Sequence, residues 1–375
     1  MEIKGQNNSA KIFIKDLDLK DFATLNQIKA LCDMEILKDS NIRIMPDMCP
    51  GIGTSIGSTF SYNDLIIPSL VSGDIGCGVT CICVKLDCKK LEYAKIDKII
   101  REQIIERKKI DSILKNYRNL IDLNNLKCKK HVDIERCYNK LGELGAGNHF
   151  IELDKDSEGY LYITVHSGSR LLGQQIYDYY LDQGYKAIAD KSYNRLYTYL
   201  KGSLMEDYLH DQKIACQFAS LNRDVIIDII IKFAKLKKTN LRWESIHNYV
   251  DTDNKIIRKG AISATRRENV VIPISASKEY GGVLLGIGKG NSDWNYSAPH
   301  GAGRIYSRSE SKNNISLTDY KNAMDGVHSI CIKKETIDES PLAYKKREFI
   351  IENIKDTVEI TDILIPVYNF KSNNK

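Results

Sequence analysis

The stretch DIGCG at residues 74–78, followed by VTCICVKL at residues 79–86, decides how this chain is interpreted. The second part is apolar and rich in β-branched residues, which predicts a strand. Asp74 and Cys77 therefore stand where that strand begins, and the glycines beside the cysteine permit a tight turn. A cysteine in this position is more often a small buried hydrophobe, but a carboxylate and a thiolate so close together are also metal ligands.

Histidines recur in segments far along the chain, and their neighbours are residue types that bind phosphate. Imidazoles are metal ligands, while glycine backbone, serine, asparagine and arginine groups donate to phosphate oxygens. One site that holds metal and phosphate together is the simplest interpretation. The segments are Gly147-Asn148-His149-Phe150, His166-Ser167-Gly168-Ser169-Arg170, His247-Asn248 and His300-Gly301-Ala302-Gly303-Arg304.

Each segment also has a plainer structural interpretation. A glycine-flanked histidine is compatible with a turn, the HSGSR stretch with a helix N-cap, and His247 with a core position in a strand. The ligand types alone favour zinc, and they leave open a two-metal site that shares one thiolate. From the residues alone we predict a metal-dependent enzyme that acts on phosphates.

Hydrophobic periodicity predicts both strands and helices along the chain. Strands are predicted at residues 79–86, 160–165, 270–274, 283–287 and 358–370. Helices are predicted at residues 91–120, 172–189, 212–237 and 343–354, and a structured loop at 45–57. We expect one α+β domain over residues 1–375, with a helical insertion at about 91–135 and an active site where strand ends and glycine-rich loops converge.

Composition sets only loose bounds on function. With 42% hydrophobic and 28% charged residues, the chain resembles an ordinary globular protein. A net charge of +6 permits a nucleic-acid partner without requiring one. Ten irregularly spaced cysteines favour reduced thiols over a disulfide framework. Since residues 1–10 lack the apolar core of a signal peptide and no apolar run reaches ~18 residues, we expect a cytoplasmic protein with no membrane partner.

In combination and in order, the motifs resemble the RtcB family of RNA-splicing ligases. The resemblance covers nearly the whole chain, and it is specific because no single motif carries it. The matching motifs are MPD (45–47), DIGCG (74–78), GNHFIE (147–152), HSGSR (166–170), HN (247–248), RKGA (258–261), GKGN (288–291), HGAGR (300–304), ESPLAYK (339–345) and PVYNFK (366–371).

The resemblance implies the RtcB fold and a GTP-dependent RNA ligase. Such an enzyme joins an RNA 3′-phosphate or 2′,3′-cyclic phosphate end to a 5′-hydroxyl end. A histidine first takes GMP from GTP, the GMP passes to the RNA 3′-phosphate, and the 5′-hydroxyl then displaces it. The resemblance leaves open whether the RNA comes from tRNA splicing or from damage, and whether an activating helper protein takes part.

The resemblance also implies roles for individual residues, with His300 of HGAGR as the nucleophile. Two manganese ions, in place of the zinc that ligand types favour, would be held with Cys77 as the bridge, by Asp74, Cys77, His149, His166 and His247. The nucleotide phosphates would meet Asn148, Gly301, Ala302, Gly303 and Arg304. The guanine pocket would be formed by Glu152, Tyr344 and Lys371, with Ser275 beside them.

Two other functions are compatible with the same residues. A dinuclear metallophosphoesterase that hydrolyses RNA ends would use the metal ligands, but it would need neither a guanine pocket nor a covalent histidine. A protein that binds RNA ends without turnover would need neither the metal ligands nor His300. The presence of Asp74, Cys77 and His300 argues against the second of these alternatives.

Overall fold

Strands and helices both contribute to the fold, and the computed structural model describes residues 1–15, 22–190 and 193–372. The strands are β1 (Glu2–Lys4), β2 (Ser9–Ile12), β3 (Ile42–Cys49), β4 (Ile56–Ser61), β5 (Leu65–Ile66), β6 (Gly78–Asp87), β7 (Phe150–Lys155), β8 (Tyr160–Ser167), β9 (Leu200–Lys201), β10 (Lys238–Ile246), β11 (Asn248–Asp251), β12 (Ile256–Lys259), β13 (Ala261–Ser263), β14 (Asn269–Ser275), β15 (Gly282–Gly288), β16 (Ser297–Pro299) and β17 (Val358–Phe370). The α-helices are α1 (Phe22–Cys32), α2 (Tyr93–Ile99), α3 (Asp111–Arg118), α4 (Ile134–Asn139), α5 (Leu171–Ala187), α6 (Gly202–Ala234), α7 (Arg308–Asn314), α8 (Leu317–Ala323) and α9 (Arg347–Asn353).

Most of the predicted site is carried by one antiparallel sheet with the strand order β10-β6-β8-β7-β17-β15-β14. Val79 and Ile82 point to opposite faces of β6 and both are buried, as expected for a central strand. The register pairs Val79 of β6 with His166 of β8, and His166 with Phe150 of β7. The beginnings of β6 and β7 and the end of β8 therefore meet at one end of the sheet.

A second sheet, of order β1-β2-β3-β4-β12-β11, lies on the other side of the site. Its β3 contains the MPD motif, and Asp47 is fully buried there. The short pair β13–β16 aligns Ala261 with Pro299, so His300 directly follows the end of β16. In this way the HGAGR segment is brought beside a sheet that is distant from it in sequence.

Helix α6 supports the site from behind, because it packs against β6 and β8. Its apolar side chains, among them Phe218, Val225 and Ile229, are fully buried. The helix ends where Lys235 adopts a left-handed conformation with φ of 57°. Helices α2 and α3, which fall within the predicted insertion, also pack against α6. No helix in the described part of the chain is both long and apolar enough to cross a membrane.

Several predicted elements are confirmed, and others differ for physical reasons. The strands predicted at 79–86, 160–165, 270–274, 283–287 and 358–370 are present, as are the helices at 172–189 and 212–237. The loop predicted at 45–57 is wrong in its first part, which belongs to β3. Its pairing with β4 is irregular between Ile44 and Cys49, and this irregularity accommodates Pro46.

The helix predicted at 91–120 is interrupted rather than continuous. A π-helical turn, Ile100–Ile105, follows α2, and the chain then adopts positive φ at Arg107 and Lys109 before α3 begins. The helix predicted at 343–354 begins only at Arg347, after a 3-10 turn. Periodicity marks the buried face of these segments, but it does not record where the backbone must turn to follow α6.

Candidate metal and nucleotide site

The predicted metal ligands come from different parts of the chain and converge at one end of the larger sheet. Asp74 and Cys77 lie in the turn that leads into β6, and His149 directly precedes β7. His166 is the penultimate residue of β8, and His247 lies between β10 and β11. All but Asp74 are buried, and the Asp74 side chain is 37% exposed. A ligand set assembled in this way depends on the register of the strands.

The side-chain atoms that were predicted to bind metal point toward one another. Sγ of Cys77 lies 3.3 Å from Nε2 of His149 and 3.3 Å from Nε2 of His166. Nε2 of His149 is 3.3 Å from Oδ2 of Asp74, and Nε2 of His166 is 3.3 Å from Nε2 of His247. The donors form two groups, each within 4.8 Å, and Cys77 belongs to both. Such a set fits two divalent ions that share one thiolate.

Hydrogen bonds to Nδ1 of His149 and of His166 select the tautomers in which Nε2 is available to the cluster. Nδ1 of His149 donates to the carbonyl oxygen of Leu144 at 3.1 Å, which is closer to it than Nη1 of Arg170 at 3.4 Å. Nδ1 of His166 donates to the carbonyl oxygen of Asn148 at 3.1 Å. A carbonyl can only accept, so the lone pair of each neutral imidazole is on Nε2, which faces the cluster.

Burial determines the protonation states of the cluster. Together with the neighbouring histidines, it lowers the pKa of His166 and of His247 well below the usual range, so both rings are neutral. Burial and the Asp74 carboxylate raise the pKa of Cys77 well above the usual range. Burial opposes ionisation of Asp74 more than any other single effect, but the interactions with His149, Cys77 and Arg170 together outweigh it, and the pKa of Asp74 is lowered.

His300 lies beside this cluster, with its ring centroid 4.7 Å from that of His247. Its Nδ1 donates to Oδ2 of Asp47 at 2.6 Å, and its backbone N–H donates to the same oxygen at 3.0 Å. Asp47 is fully buried. The neutral His300 therefore carries its lone pair on Nε2, in the tautomer that a nucleophile requires.

Glycines permit two close approaches that build the site. A Cβ at position 168 would lie 2.2 Å from Oδ1 of Asp74, so HSGSR can contact that carboxylate only with glycine there. Gly303 has φ of 70°, and a Cβ there would lie 2.1 Å from the backbone oxygen of Asp47. A side chain at position 303 is therefore excluded, and one at position 168 would displace the Asp74 carboxylate.

A cleft continues from the metal ligands past HGAGR to the C-terminal strand. It is lined by Asn148, Glu152, Ser275, Gly301, Ala302, Gly303, Arg304, Tyr344 and Lys371. Glu152 is 2% exposed and accepts from the Asn369 amide at 2.7 Å. The Ser275 hydroxyl is buried, and it has no hydrogen-bond partner among the described residues. An orphaned hydroxyl in a cleft wall fits a polar ligand.

Tyr344 and Lys371 meet at Glu339. The Tyr344 hydroxyl donates to Oε2 of Glu339 at 2.7 Å, and Nζ of Lys371 lies 2.8 Å from the same oxygen. Lys371 is also 5.8 Å from the centre of the Tyr344 ring. The ammonium and the phenol that were predicted to meet a nucleotide base are thus adjacent, and Glu339 holds them together.

The Arg304 side chain is held by hydrogen bonds to other groups of the protein. Its guanidinium donates to the Tyr344 hydroxyl, the backbone oxygens of Tyr306 and Asp338, and the Ser311 hydroxyl. Since these protein groups occupy its donors, the Arg304 side chain braces the cleft wall rather than presenting free N–H groups to phosphates. Buried guanidinium groups need such partners.

The sequence of this chain is similar to those of known proteins. The family model described as tRNA-splicing ligase RtcB matches residues 27–132 and 107–372 of this chain. This protein belongs to the RtcB family. The chain is 30% identical, over 372 aligned positions, to the RNA-splicing ligase RtcB of Escherichia coli (strain K12), covering 85% of this chain and 87% of the relative.

More distant members of the RtcB family also match. The chain is 25% identical to the RNA-splicing ligase RtcB homolog 1 of Entamoeba dispar, covering 93% of this chain and 84% of the relative. It is 26% identical to the tRNA-splicing ligase RtcB of Pyrobaculum aerophilum, covering 57% of this chain and 55% of the relative. The resemblance found in the motifs therefore extends over most of the sequence.

The structure of this RtcB-family protein brings further residues to the site. Asp47 orients His300, Glu339 joins Tyr344 to Lys371, and Asn369 contacts Glu152. The motifs MPD, ESPLAYK and PVYNFK contain all three, but sequence reasoning gave these residues no role. Arg223 was missed entirely, because an arginine in a helical pattern carries no signal that it is buried.

Proposed function

We propose that this protein is an RNA ligase that uses GTP and manganese to join an RNA 3′-phosphate or 2′,3′-cyclic phosphate end to a 5′-hydroxyl end. The observation that carries the proposal is the position of His300. Its Nδ1–H is held by Asp47, its Nε2 is free to attack phosphorus, and it lies beside a cluster that fits two metal ions. Membership of a family of RNA-splicing ligases supports the same activity.

In the first step, Nε2 of His300 attacks the α-phosphorus of GTP. A nitrogen–phosphorus bond forms as the bond to the β-phosphate oxygen breaks, and pyrophosphate leaves. Asp47 holds the proton of the neutral ring on Nδ1, so that the lone pair is on the attacking Nε2, and its carboxylate stabilises the ring as it gains positive charge. Two manganese ions, when bound by Asp74, Cys77, His149, His166 and His247, supply Lewis-acid stabilisation of the phosphate oxygens.

The later steps transfer GMP and close the RNA strand. An oxygen of the RNA 3′-phosphate attacks the phosphorus of the GMP on His300, and the histidine leaves. The 5′-hydroxyl oxygen then attacks the RNA 3′-phosphorus and expels GMP. A 2′,3′-cyclic phosphate must first be opened by water to a 3′-phosphate. Asn148, at the cleft wall, is suited to donate to phosphate oxygens during these transfers.

We assign guanine selection to the end of the cleft that lies near the C-terminal strand. Glu152 would accept from the two N–H groups on one edge of guanine, and the Tyr344 ring would lie against the base. Lys371 would donate to the guanine carbonyl, and the orphaned Ser275 hydroxyl would take a further polar contact. Adenine lacks the N–H groups that an acceptor at Glu152 selects, so this pocket would favour GTP over ATP.

His300→Ala tests the covalent step. With α-labelled GTP and manganese, the wild-type protein is expected to acquire an acid-labile label, and the variant to acquire none. The variant is also expected to lose ligation of 3′-phosphate RNA to 5′-hydroxyl RNA, because no activated end is made. It should still join RNA supplied with a 3′-guanylylated end, since that substrate no longer needs the histidine.

The same experiment distinguishes the ligase from a metallophosphoesterase. A hydrolase would remove the terminal phosphate without GTP and would join no strand, even from activated RNA. Normal ligation by His300→Ala with GTP would place the covalent step elsewhere and contradict the assignment of His300. His210→Ala, at a half-exposed histidine of α6 outside the cleft, is the matched control and is expected to behave like wild type.

A further inference from the structure

A row of polar side chains crosses the larger sheet and ends in the cleft. The strand register pairs Cys81 of β6 with Thr164 of β8, Thr164 with Glu152 of β7, and Glu152 with Asn369 of β17. Directly paired residues of antiparallel strands lie on the same face. Polar side chains are uncommon inside a sheet, because each buried polar group requires a partner.

Asp154 belongs to the same face, two residues beyond Glu152 on β7. Its side chain is fully buried, whereas Glu152 lines the cleft. The Thr164 hydroxyl donates to Oδ2 of Asp154 at 2.7 Å and lies 3.4 Å from Sγ of Cys81. The carboxyl groups of Asp154 and Glu152 are neighbours on this face of β7, within reach of a hydrogen bond between them. Two carboxyl groups can make that contact only if one of them is protonated.

The partners of each carboxyl group indicate which one holds the proton. Glu152 accepts from the Asn369 amide and is near the Lys371 ammonium, and both favour its charged form. Oδ1 of Asp154 is buried and receives no hydrogen bond from any group in the described part of the chain. An ionised Asp154 would leave that oxygen as a buried anion without a donor, whereas a protonated Oδ1 can donate to Glu152.

We propose that Asp154 holds a proton in the native protein and donates it to Glu152, so that Asp154 is a positioning residue for nucleotide specificity. The inference rests on the proposed guanine pocket and deepens it. A hydrogen bond donated by Asp154 keeps Glu152 ionised. Glu152 can then accept hydrogen bonds from the N–H groups that guanine presents in the cleft. Without the donor, a buried Glu152 takes up a proton more readily and can no longer select guanine.

The surroundings of this pair contain few other titratable groups. The described groups that face it are Tyr162, which pairs with Asp154 across β8, Cys81 of β6 and Lys371 beyond β17. Burial raises the pKa of Glu152 to about 7, and burial with the nearby Glu152 raises the pKa of Asp154 well above its usual range. Guanine selection is therefore expected to weaken as the pH falls through about 7, when Glu152 becomes protonated.

Two uncharged substitutions distinguish hydrogen-bond donation by Asp154 from its other roles. Asp154→Asn keeps both contacts, because its oxygen can accept from Thr164 and its amide N–H can donate to Glu152. Asp154→Val removes the donor without changing the charge of a protonated aspartic acid. Asp362→Asn, on β17 outside the polar row, is the control for removing a carboxyl group from the sheet.

The experiment measures binding of α,β-methylene analogues of GTP and ATP, which His300 cannot cleave, by calorimetry with manganese from roughly pH 5.5 to pH 8. The contributions of the phosphates and of the metal to binding cancel in the ratio of the two affinities, because they are the same for both analogues. We expect Asp154→Val to reduce the ratio of the two affinities by roughly tenfold. We also expect the preference for the GTP analogue to be lost at a higher pH than in the wild-type protein. Asp154→Asn and Asp362→Asn are expected to keep the wild-type ratio and pH dependence.

Other outcomes have distinct meanings. If Asp154→Asn moves the loss of selectivity to lower pH, Asp154 was ionised in the native protein and the proposal is wrong. The proposal is also wrong if Asp154→Val keeps the full ratio. Should Asp154→Val fail to fold, as judged by thermal unfolding, the Asp154→Asn profile alone decides. A wild-type protein that does not prefer the GTP analogue overturns the guanine pocket itself, and this inference with it.

Discussion

At the scale of single residues, the Asp47 carboxylate determines which ring nitrogen of His300 carries the lone pair. The HGAGR motif provides an imidazole, but an isolated imidazole exchanges its proton between the two nitrogens. Asp47 receives both the Nδ1–H and the backbone N–H of His300 on one oxygen. That oxygen fixes the tautomer and the ring orientation together, as the aspartate of a catalytic triad does for its histidine.

Asp47→Ala is therefore expected to slow guanylylation of His300 far more than it affects metal binding. Loss of the orienting carboxylate costs roughly 10⁴-fold in a catalytic triad. The rate of label transfer from α-labelled GTP measures the first quantity, and metal analysis of the purified protein measures the second. Label transfer at the wild-type rate would show that Asp47 does not orient the nucleophile.

At the scale of elements, helix α6 holds the loops that carry the ligands. Arg223 is fully buried and donates to the backbone oxygens of Gly76 and Ser167, which adjoin the ligands Cys77 and His166. It also forms an ion pair with Glu244 at 2.6 Å. The preceding residue, Asn222, binds the backbone oxygens of Glu143 and Gly168. One turn of helix thus fixes the segments that lead into β6, β7 and α5.

Arg223→Lys tests whether this bracing matters for the metal site. Lysine keeps the charge beside Glu244, but it lacks the planar fork that reaches two carbonyl groups at once. We expect manganese affinity to fall by about 10- to 100-fold, as it does when residues that orient metal ligands are changed. Arg242→Lys is the matched control, because Arg242 also pairs with Glu244 but makes its ion pairs at the surface. Equal losses in the two variants would contradict a bracing role.

At the scale of the whole molecule, the proposed metal ligands connect β6, β7, β8 and the β10–β11 junction. An ion bound there stabilises the folded state but has no preformed site in the unfolded chain. Saturation at 100 times Kd contributes about 2.7 kcal/mol. For a chain of 375 residues, the usual unfolding entropy converts this into a rise in Tm of about 3 °C.

Thermal unfolding with manganese and with a chelator measures this contribution. We expect the chelator to lower the Tm of the wild-type protein and to leave the Tm of Cys77→Ala unchanged, because both ligand groups include Cys77. Cys32→Ala removes a thiol that is buried in the core outside the site, and it should keep the metal-dependent shift. An equal shift in Cys77→Ala would exclude a shared thiolate.

The sequence by itself determined which residue types are available as metal ligands, and it determined several of the strands that carry them. Periodicity and β-branched residues predict β6, β8 and β17, because a buried strand must present apolar side chains regardless of its partners. The spacing in DIGCG and HSGSR also marks Asp74, Cys77 and His166 as donors. These features are local, because the backbone preference of a segment depends on the residues that are adjacent in sequence.

Only the tertiary structure decided which polar residues act together. Asp47 and His300, Arg223 and Gly76, and Asp154 and Thr164 are joined by strand register and helix packing, and no local pattern records those contacts. Likewise, Arg304 resembles a phosphate ligand in its motif but gives its donors to the protein. The proton held by a buried carboxyl group depends on desolvation and on every neighbour, and both exist only once the chain has folded.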